Sequence, residues 1–95
     1  MPDDQPALSV CLCTHNPRRE TLARTLAALA VQTLDAAQWE LVIVDNASEQ
    51  PVETWADLSA LEPLSQIGHL RVLRENELGL TPARLRAIAE ARAAV

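Results

Sequence analysis

The chain has 95 residues, a net charge of −5 and 48% hydrophobic residues, which suits one small folded domain or a piece of a larger one. The negative charge disfavours nonspecific binding to nucleic acid or anionic membranes, and every apolar run is far shorter than the ~20 residues that a bilayer requires. The acidic N-terminal residues lack the layout of a signal peptide, so we expect a cytoplasmic protein.

The first predicted element is a buried strand over residues 8–14, which follows a flexible N-terminus over residues 1–7. Cys11 and Cys13 lie on this strand and are interpreted as small buried residues in a reducing compartment. A zinc site is the alternative interpretation, because Cys11, Cys13 and His15 alternate along one face of the strand. The fourth ligand would be His69.

A helix is predicted after this strand, with Asn16 as its N-cap, Pro17 as its first residue and its end near residues 32–35. The second strand covers residues 40–45 and is rich in β-branched residues without alternation, as expected at the centre of a parallel sheet. A weaker second helix begins at Pro51. Its apolar positions are Val52, Trp55 and Leu58, and the loop after it is bracketed by Pro63 and Gly68.

The last strand and helix repeat this order. Residues 69–74 alternate between apolar and polar side chains, which favours a strand at the edge of the sheet. Gly79 marks the next turn, and Thr81 and Pro82 are predicted as the N-cap and first residue of a helix that runs to Val95. The buried stripe of this helix is predicted to consist of Leu85, Ile88 and Ala89.

Alternating strands and helices predict an α/β fold, a three-layer sandwich with a parallel sheet in the order 3-2-1. In that order the first strand is apolar on both faces and yet lies at an open edge of the sheet. We therefore expect the chain to be a fragment of a larger domain and to self-associate through its first strand.

Ligands of open parallel sheets bind beyond the carboxyl ends of the strands. Asp45 closes the central strand, where a carboxylate suits a ribose hydroxyl, and Asn46 carries a donor and an acceptor that suit the edge of a base. The alternative is that both residues only shape the turn or cap the second helix.

Cations in the first turn of a helix oppose its dipole unless an anion binds there. Arg84 is predicted in such a position after Gly79, which favours contact with a phosphate group. Arg18 and Arg19 are predicted in the first turn of the first helix and are interpreted as solvated surface charges.

The loop over residues 14–18 contains no glycine, which excludes a Walker loop and a Gly-x-Gly-x-x-Gly fingerprint. Side chains such as Arg84, or a metal ion, would therefore have to hold the phosphates of a nucleotide. No paired acids follow a predicted strand to bind that metal, and no serine has a histidine and an acid placed to activate it.

Four segments resemble, in order and spacing, the N-terminal part of family 2 glycosyltransferases of the GT-A fold. They are LSVCLCTHN at residues 8–16, the first helix with Thr25, Leu26 and Leu29 that ends in Gln32 and Thr33, ELVIVDNAS at residues 40–48, and Asn76 and Gly79 followed by Ala83 and Arg84. Asn46 stands where many members carry a second aspartate.

The resemblance implies that residues 8–95 are the nucleotide-sugar-binding half of a GT-A domain, which binds a nucleoside diphosphate sugar for glycosyl transfer to an acceptor. It also implies a divalent cation, Mg or Mn, in the full-length enzyme, with the metal motif and the catalytic base after Val95. The 95-residue chain is therefore expected to be inactive by itself. The implied nucleotide-binding residues are Thr14, His15, Asn16, Asp45 and Asn46 around the base and ribose, and Arg84, with Gly79 in the loop before it, near the base and diphosphate.

Two other functions fit the same pattern of elements. One is a noncatalytic α/β module of flavodoxin-like shape, whose polar strand ends contact a protein. The other is a nucleotidyltransferase, which the lack of a glycine-rich basic loop after the first strand disfavours.

Overall fold

The computed structural model describes residues 5–93, which form a parallel sheet of three strands with helices on both faces. In chain order the elements are β1 (Leu8–Thr14), α1 (Arg19–Ala30), β2 (Trp39–Asn46), α2 (Glu62–Gln66), β3 (Leu70–Glu75) and α3 (Leu80–Glu90). The strand order β1-β2-β3 is the predicted order 3-2-1, so the predicted α/β fold is confirmed.

All eight residues of β2 are buried, because this strand is covered on both faces as well as on both edges. Leu41 and Ile43 pack in the larger core with α1 and α2, whereas Val42 and Val44 pack against α3. Successive side chains of a strand point to opposite faces, so an unbroken apolar run is what this central position requires. The three predicted layers are therefore present.

The register of the strands sets the geometry of the sheet edge. Thr14 pairs with Asp45 in β2, and Asp45 pairs in turn with Arg74 in β3. Because all three strands are parallel, their carboxyl ends meet at the same edge, where the loops that follow them lie side by side.

The predicted start of α1 is wrong by two residues. The helix begins at Arg19 and ends at Ala30. Arg18 is at the N-cap position, but its side chain makes no capping hydrogen bond. Asn16 does not cap it, because this residue has a φ of 43° and its Oδ1 accepts a hydrogen bond from the Glu49 amide in the loop after β2. A bond to a neighbouring loop has replaced the local cap.

The helix predicted at Pro51 is also wrong. Residues there form a 3-10 turn at Val52–Thr54, a second one at Ser59–Leu61 and then the short helix α2. The Asp57 side chain accepts a hydrogen bond from the Ser59 amide, which offers the backbone an alternative to continuous helix. Pro63, predicted in a loop, lies in the first turn of α2, where its missing N–H costs nothing.

The predictions for α3 need three corrections. The helix starts at Leu80 with Gly79 at the N-cap position, so the predicted N-cap Thr81 and first residue Pro82 are wrong. It ends at Glu90 and does not run to Val95 as predicted, because Ala91 has an extended backbone conformation. Its predicted apolar stripe is wrong, because Leu85 and Ile88 are 61% and 71% exposed and Ala89 is also exposed. The buried residues are Ala83 and Ala87, whose small side chains let the helix lie close to Val42 and Val44.

The cysteines are less buried than predicted. Cys11 is exposed and Cys13 half-buried, because β1 has a neighbouring strand on one side only within the described residues. The alternative zinc site does not form: His15 follows β1 at the carboxyl end of the sheet, whereas His69 precedes β3 at the amino end. Self-association through β1 stays a prediction.

Part of the predicted flexible N-terminus is described. Residues 1–4 lie outside the described range, whereas Pro6 is buried and the Ala7 amide donates a hydrogen bond to Gln38 O at 2.8 Å. The chain is therefore attached to the residues before β2 from Ala7 onward.

Candidate functional site

A cleft of about 260 Å³ opens at the carboxyl edge of the sheet, between the ends of β1 and β2 and the start of α3. We call it the strand-end cleft. It contains four of the seven residues predicted to bind a nucleotide, namely Thr14, His15, Asn46 and Gly79. The lining is completed by Cys13, Leu78, Leu80 and Ala83.

Asp45 lies behind this cleft and is only 2% exposed. Its Oδ1 accepts a hydrogen bond from the Ser48 amide at 3.3 Å, and its Oδ2 accepts one from the Val52 amide at 2.9 Å. Arg74 Nη1 approaches the same Oδ2 at 3.2 Å. In this structure the carboxylate therefore holds the turn after β2, which was the alternative role considered for it.

The Asn46 side chain joins the end of β2 to the loop between β3 and α3. Its Nδ2 donates hydrogen bonds to Glu75 O at 3.0 Å and Glu77 O at 2.8 Å, and its Oδ1 accepts one from the Gly79 amide at 2.9 Å. An asparagine side chain has two N–H donors, so both are used within the protein.

His15 and Asn16 join the loop after β1 to the loop after β2. His15 Nδ1 lies 2.6 Å from Asn46 O, and since a carbonyl only accepts, this nitrogen carries the hydrogen. His15 Nε2 then accepts from Asn16 Nδ2 at 3.2 Å. The Asn16 amide donates to Ser48 Oγ at 2.8 Å, so Asn16 faces the loops and does not line the strand-end cleft.

Gly79 has a backbone conformation that residues with a side chain rarely adopt. Its φ is 144°, and a Cβ atom placed there would lie 3.2 Å from Pro82 Cδ. The glycine thus allows the chain to enter α3 directly beside the strand-end cleft.

Arg84 lies beside the cleft, as the fifth residue of α3 and not in its first turn as predicted. Its side chain is exposed, and it has no ion-pair partner among residues 5–93. Burial raises the pKa of the Cys13 thiol above its ordinary value, and the nearby positive charge of Arg84 partly offsets this effect. Arg84 directly follows Ala83, which lines the cleft, and among residues 5–93 its charge is not neutralised by an ion pair.

Arg18 and Arg19 were predicted to be solvated surface charges, and both are exposed. Arg19 also contacts neighbouring side chains. Its guanidinium carbon lies 4.8 Å from the centre of the Trp55 ring, and Nη2 donates to Gln50 Oε1 at 3.1 Å. The pair separates two clefts of about 320 Å³ each. The more apolar of these lies between α1 and residues 55–61, away from the strand ends, and gathers few polar groups.

Several site residues were missed from the sequence. Leu78, Leu80 and Ala83 line the cleft. No pattern in the sequence indicates that these apolar residues form the wall of a binding site. Arg74 donates to Ser48 O at 2.9 Å and pairs with Asp45. The alternation of β3 together with the parallel register was a signal that could have found this pair.

Among residues 5–93 no three His, Cys, Asp or Glu side chains come together in a way that could hold an ion. The divalent cation predicted for the full-length enzyme thus has no ligand set among these residues.

The fold and the cleft define an α/β domain with an open parallel sheet and a cavity at the carboxyl ends of its strands. The model of the glycosyl transferase family 2 matches residues 9–95, so the chain belongs to this family. The chain is also similar to polypeptide N-acetylgalactosaminyltransferase 8 of Drosophila melanogaster, with 31% identity over 80 residues. That alignment covers 84% of the chain and 13% of the relative.

Of the helices in the described part of the chain, none has the length and apolar character needed to cross a bilayer.

Proposed function

We propose that this domain binds the nucleoside diphosphate part of a sugar donor at the strand-end cleft. The observation that carries the proposal is that Thr14, His15 and Gly79, from loops far apart in sequence, meet in one cavity beside the exposed Arg84. Family membership supports a sugar nucleotide as the ligand.

The chemistry of the lining residues favours one position for the nucleobase and ribose and another for the diphosphate. The walls of the cleft are mostly apolar, with Leu78, Leu80 and Ala83 among them, and suit the flat face of a nucleobase with its ribose. The lining of the cavity of about 260 Å³ includes no Asp, Glu, Lys or Arg. Arg84 follows the lining residue Ala83 in α3, and its exposed guanidinium suits the diphosphate. We therefore place the base and ribose inside and the diphosphate at Arg84.

The residues of the strand-end cleft can bind a ligand, but they do not include a complete set of catalytic groups. The described part of the chain holds no metal-ligand cluster, and no acid in the strand-end cleft is placed as a base. We accordingly propose that the 95-residue chain binds a donor but does not transfer the sugar by itself. The use of Mg or Mn by the parent enzyme and a cytoplasmic location stay predictions.

The direct test is a calorimetric titration of the chain with UDP, UDP-glucose, UDP-N-acetylgalactosamine and GDP. The third ligand is included because the similar Drosophila protein is named for transfer of that sugar. Arg84→Glu should weaken binding of the diphosphates at least about tenfold, a loss of about 1.4 kcal/mol. It should leave binding of uridine, which lacks phosphate, within about twofold.

Arg24→Glu is the matched control, since Arg24 is an exposed arginine on the outer side of α1. It changes the net charge equally and should not change affinity. Equal losses in the two variants would mean that only overall charge matters. No binding of any nucleotide would contradict the proposal and favour the noncatalytic interaction module.

A further inference from the structure

The three loops at the strand ends are tied to one another by side-chain bonds. Asn16 connects the loop after β1 to Ser48 and Glu49, both in the loop after β2. His15 connects the first loop to the Asn46 carbonyl, and the Asn46 side chain connects β2 to the loop before α3. Every link is a hydrogen bond between residues 29 or more positions apart in sequence.

Asn46 is central to this arrangement, because its backbone and its side chain both take part. It is 4% exposed, although it lines the cleft. Its three side-chain bonds, of 2.8–3.0 Å, go to the backbone of residues 75–79. Since both N–H donors are committed, the amide offers no free donor to a ligand.

The loop that Asn46 holds needs such support. Gly79 has a φ of 144°, and the exposed Leu78 and Leu80 on either side bury too little surface to anchor it. The amide of Gly79 donates to Asn46 Oδ1, which ties this glycine to the end of β2. Without that bond, the wall of the cleft formed by residues 78–80 would sample other conformations.

We propose that Asn46 is a positioning residue for donor binding: it fixes the Gly79 loop in its binding-competent conformation and does not itself recognise the base. This inference rests on the proposed function for its ligand. When a binding-competent state is only partly populated, the apparent Kd rises by the inverse of its population. If Asn46→Ala leaves about one tenth of the molecules competent, the Kd of every nucleotide rises about tenfold.

The test compares Asn46→Ala with the unchanged 95-residue chain in two measurements. The first is hydrogen exchange of the Gly79 amide by NMR without ligand, which should accelerate at least about tenfold. The second is the Kd for UDP, CDP and GDP, which should rise by the same factor for all three because no base-specific contact is lost. A loss confined to one base would overturn the proposal, since it would show direct recognition.

Gln32→Ala is the matched control, because the Gln32 amide also bridges backbone groups, of Leu34, after the end of α1. It should leave Gly79 exchange and all Kd values unchanged. Asn46→Asp is the second variant if Asn46→Ala does not fold. It keeps the acceptor for the Gly79 amide but loses both donors to the Glu75 and Glu77 carbonyls, so Gly79 exchange should still rise above that of the unchanged chain, though by less than about tenfold.

The failure of this proposal and that of the proposed function can be told apart. If the unchanged chain binds no nucleotide, the proposed function fails, whereas Gly79 exchange in the free variants still tests the positioning role. Gly79 exchange that is the same in all variants would overturn the positioning role by itself.

Discussion

Arg71 Nη2 donates a hydrogen bond to Glu40 Oε1 at 3.0 Å, between neighbouring strands and at a point where the Glu40 side chain has no exposed surface. Ser9 Oγ and the Arg92 amide donate to the other carboxylate oxygen at 2.5 and 2.6 Å. Arg71 also pairs with Glu90 at the end of α3. This cluster joins all three strands to the chain after α3, at the end of the sheet opposite the strand-end cleft.

Glu40→Ala is expected to lower the free energy of unfolding by about 3–5 kcal/mol. The removal leaves the Arg71 guanidinium, whose side chain is 19% exposed, without its buried partner. It also leaves the Arg92 amide without its acceptor. Urea denaturation followed by circular dichroism measures the change.

Glu53→Ala is the matched control, because Glu53 is an exposed glutamate in a 3-10 turn. Its effect should stay within about 0.5 kcal/mol. Equal effects of the two substitutions would show that the buried cluster contributes nothing particular to stability.

The same cluster predicts how stability depends on pH. Burial raises the pKa of Glu40, but hydrogen bonds from Ser9, the Arg92 amide and Arg71 outweigh burial and lower the pKa below its ordinary value of 4.5. The folded state therefore binds fewer protons than the unfolded chain in this range. The stabilisation is fully present above pH 4.5 and is lost as the pH falls through the folded-state pKa.

Urea denaturation between pH 7 and 3 checks this, with Glu40→Gln as the comparison. The variant should lose less stability than the unchanged chain as the medium is acidified below the ordinary glutamate pKa. Asp57 acts in the same direction, since hydrogen bonds from Ser59 lower its pKa, but it is present in both proteins. Parallel pH profiles of the two proteins would contradict the assignment to Glu40.

Asp45→Asn should destabilise the domain by about 1–3 kcal/mol and disturb the turn after β2. The two carboxylate oxygens accept from the Ser48 and Val52 amides, and an asparagine would turn an N–H group toward one of these donors. Thermal unfolding together with exchange of the Val52 amide measures the effect.

Asp57→Asn is the comparison for this change, because Asp57 also accepts from a backbone amide, that of Ser59, but is exposed. Water can replace its bond, so the loss should be clearly smaller. If Asp45→Asn left the Val52 amide as protected as before, the structural role of Asp45 would be wrong.

Gly79→Ala should cost about 1–3 kcal/mol and also weaken nucleotide binding. Its φ of 144° is unfavourable for a side chain, and the new Cβ would lie 3.2 Å from Pro82 Cδ. Gly68→Ala is the matched control, because Gly68 has a φ of 75° with no atom within 4 Å of a new Cβ. It should cost about 1–2 kcal/mol and leave binding unchanged. Equal effects on binding would show that neither glycine positions the cleft.

The strands and their order could be predicted because their signals are local and strong. An unbroken apolar run marked β2 as the central strand, and alternation marked β3 as an edge. The helices were harder to predict, because tertiary contacts set their limits. Asn16 forms hydrogen bonds with the loop after β2 and does not cap α1. The buried face of α3 consists of two alanines, where larger residues had been predicted.

The sequence predicted which residues gather at the strand ends better than it predicted what each of them does. Polar residues at the strand ends do meet in or behind one cleft. The side chains of Asp45 and Asn46, however, form their hydrogen bonds with backbone groups of the protein itself. Such roles depend on distances between loops about 30 residues apart, which periodicity does not report. Nucleotide binding by the seven predicted residues stays a prediction.

The most direct measurement is a ¹⁵N NMR titration of the 95-residue chain with UDP. We expect shift changes to concentrate at Thr14, His15, Gly79 and Arg84, around the strand-end cleft, whereas Gly68 and Gln32 at the opposite end should not move. Shift changes around Trp55 and α1 alone, or none at saturating nucleotide, would contradict donor binding at this cleft.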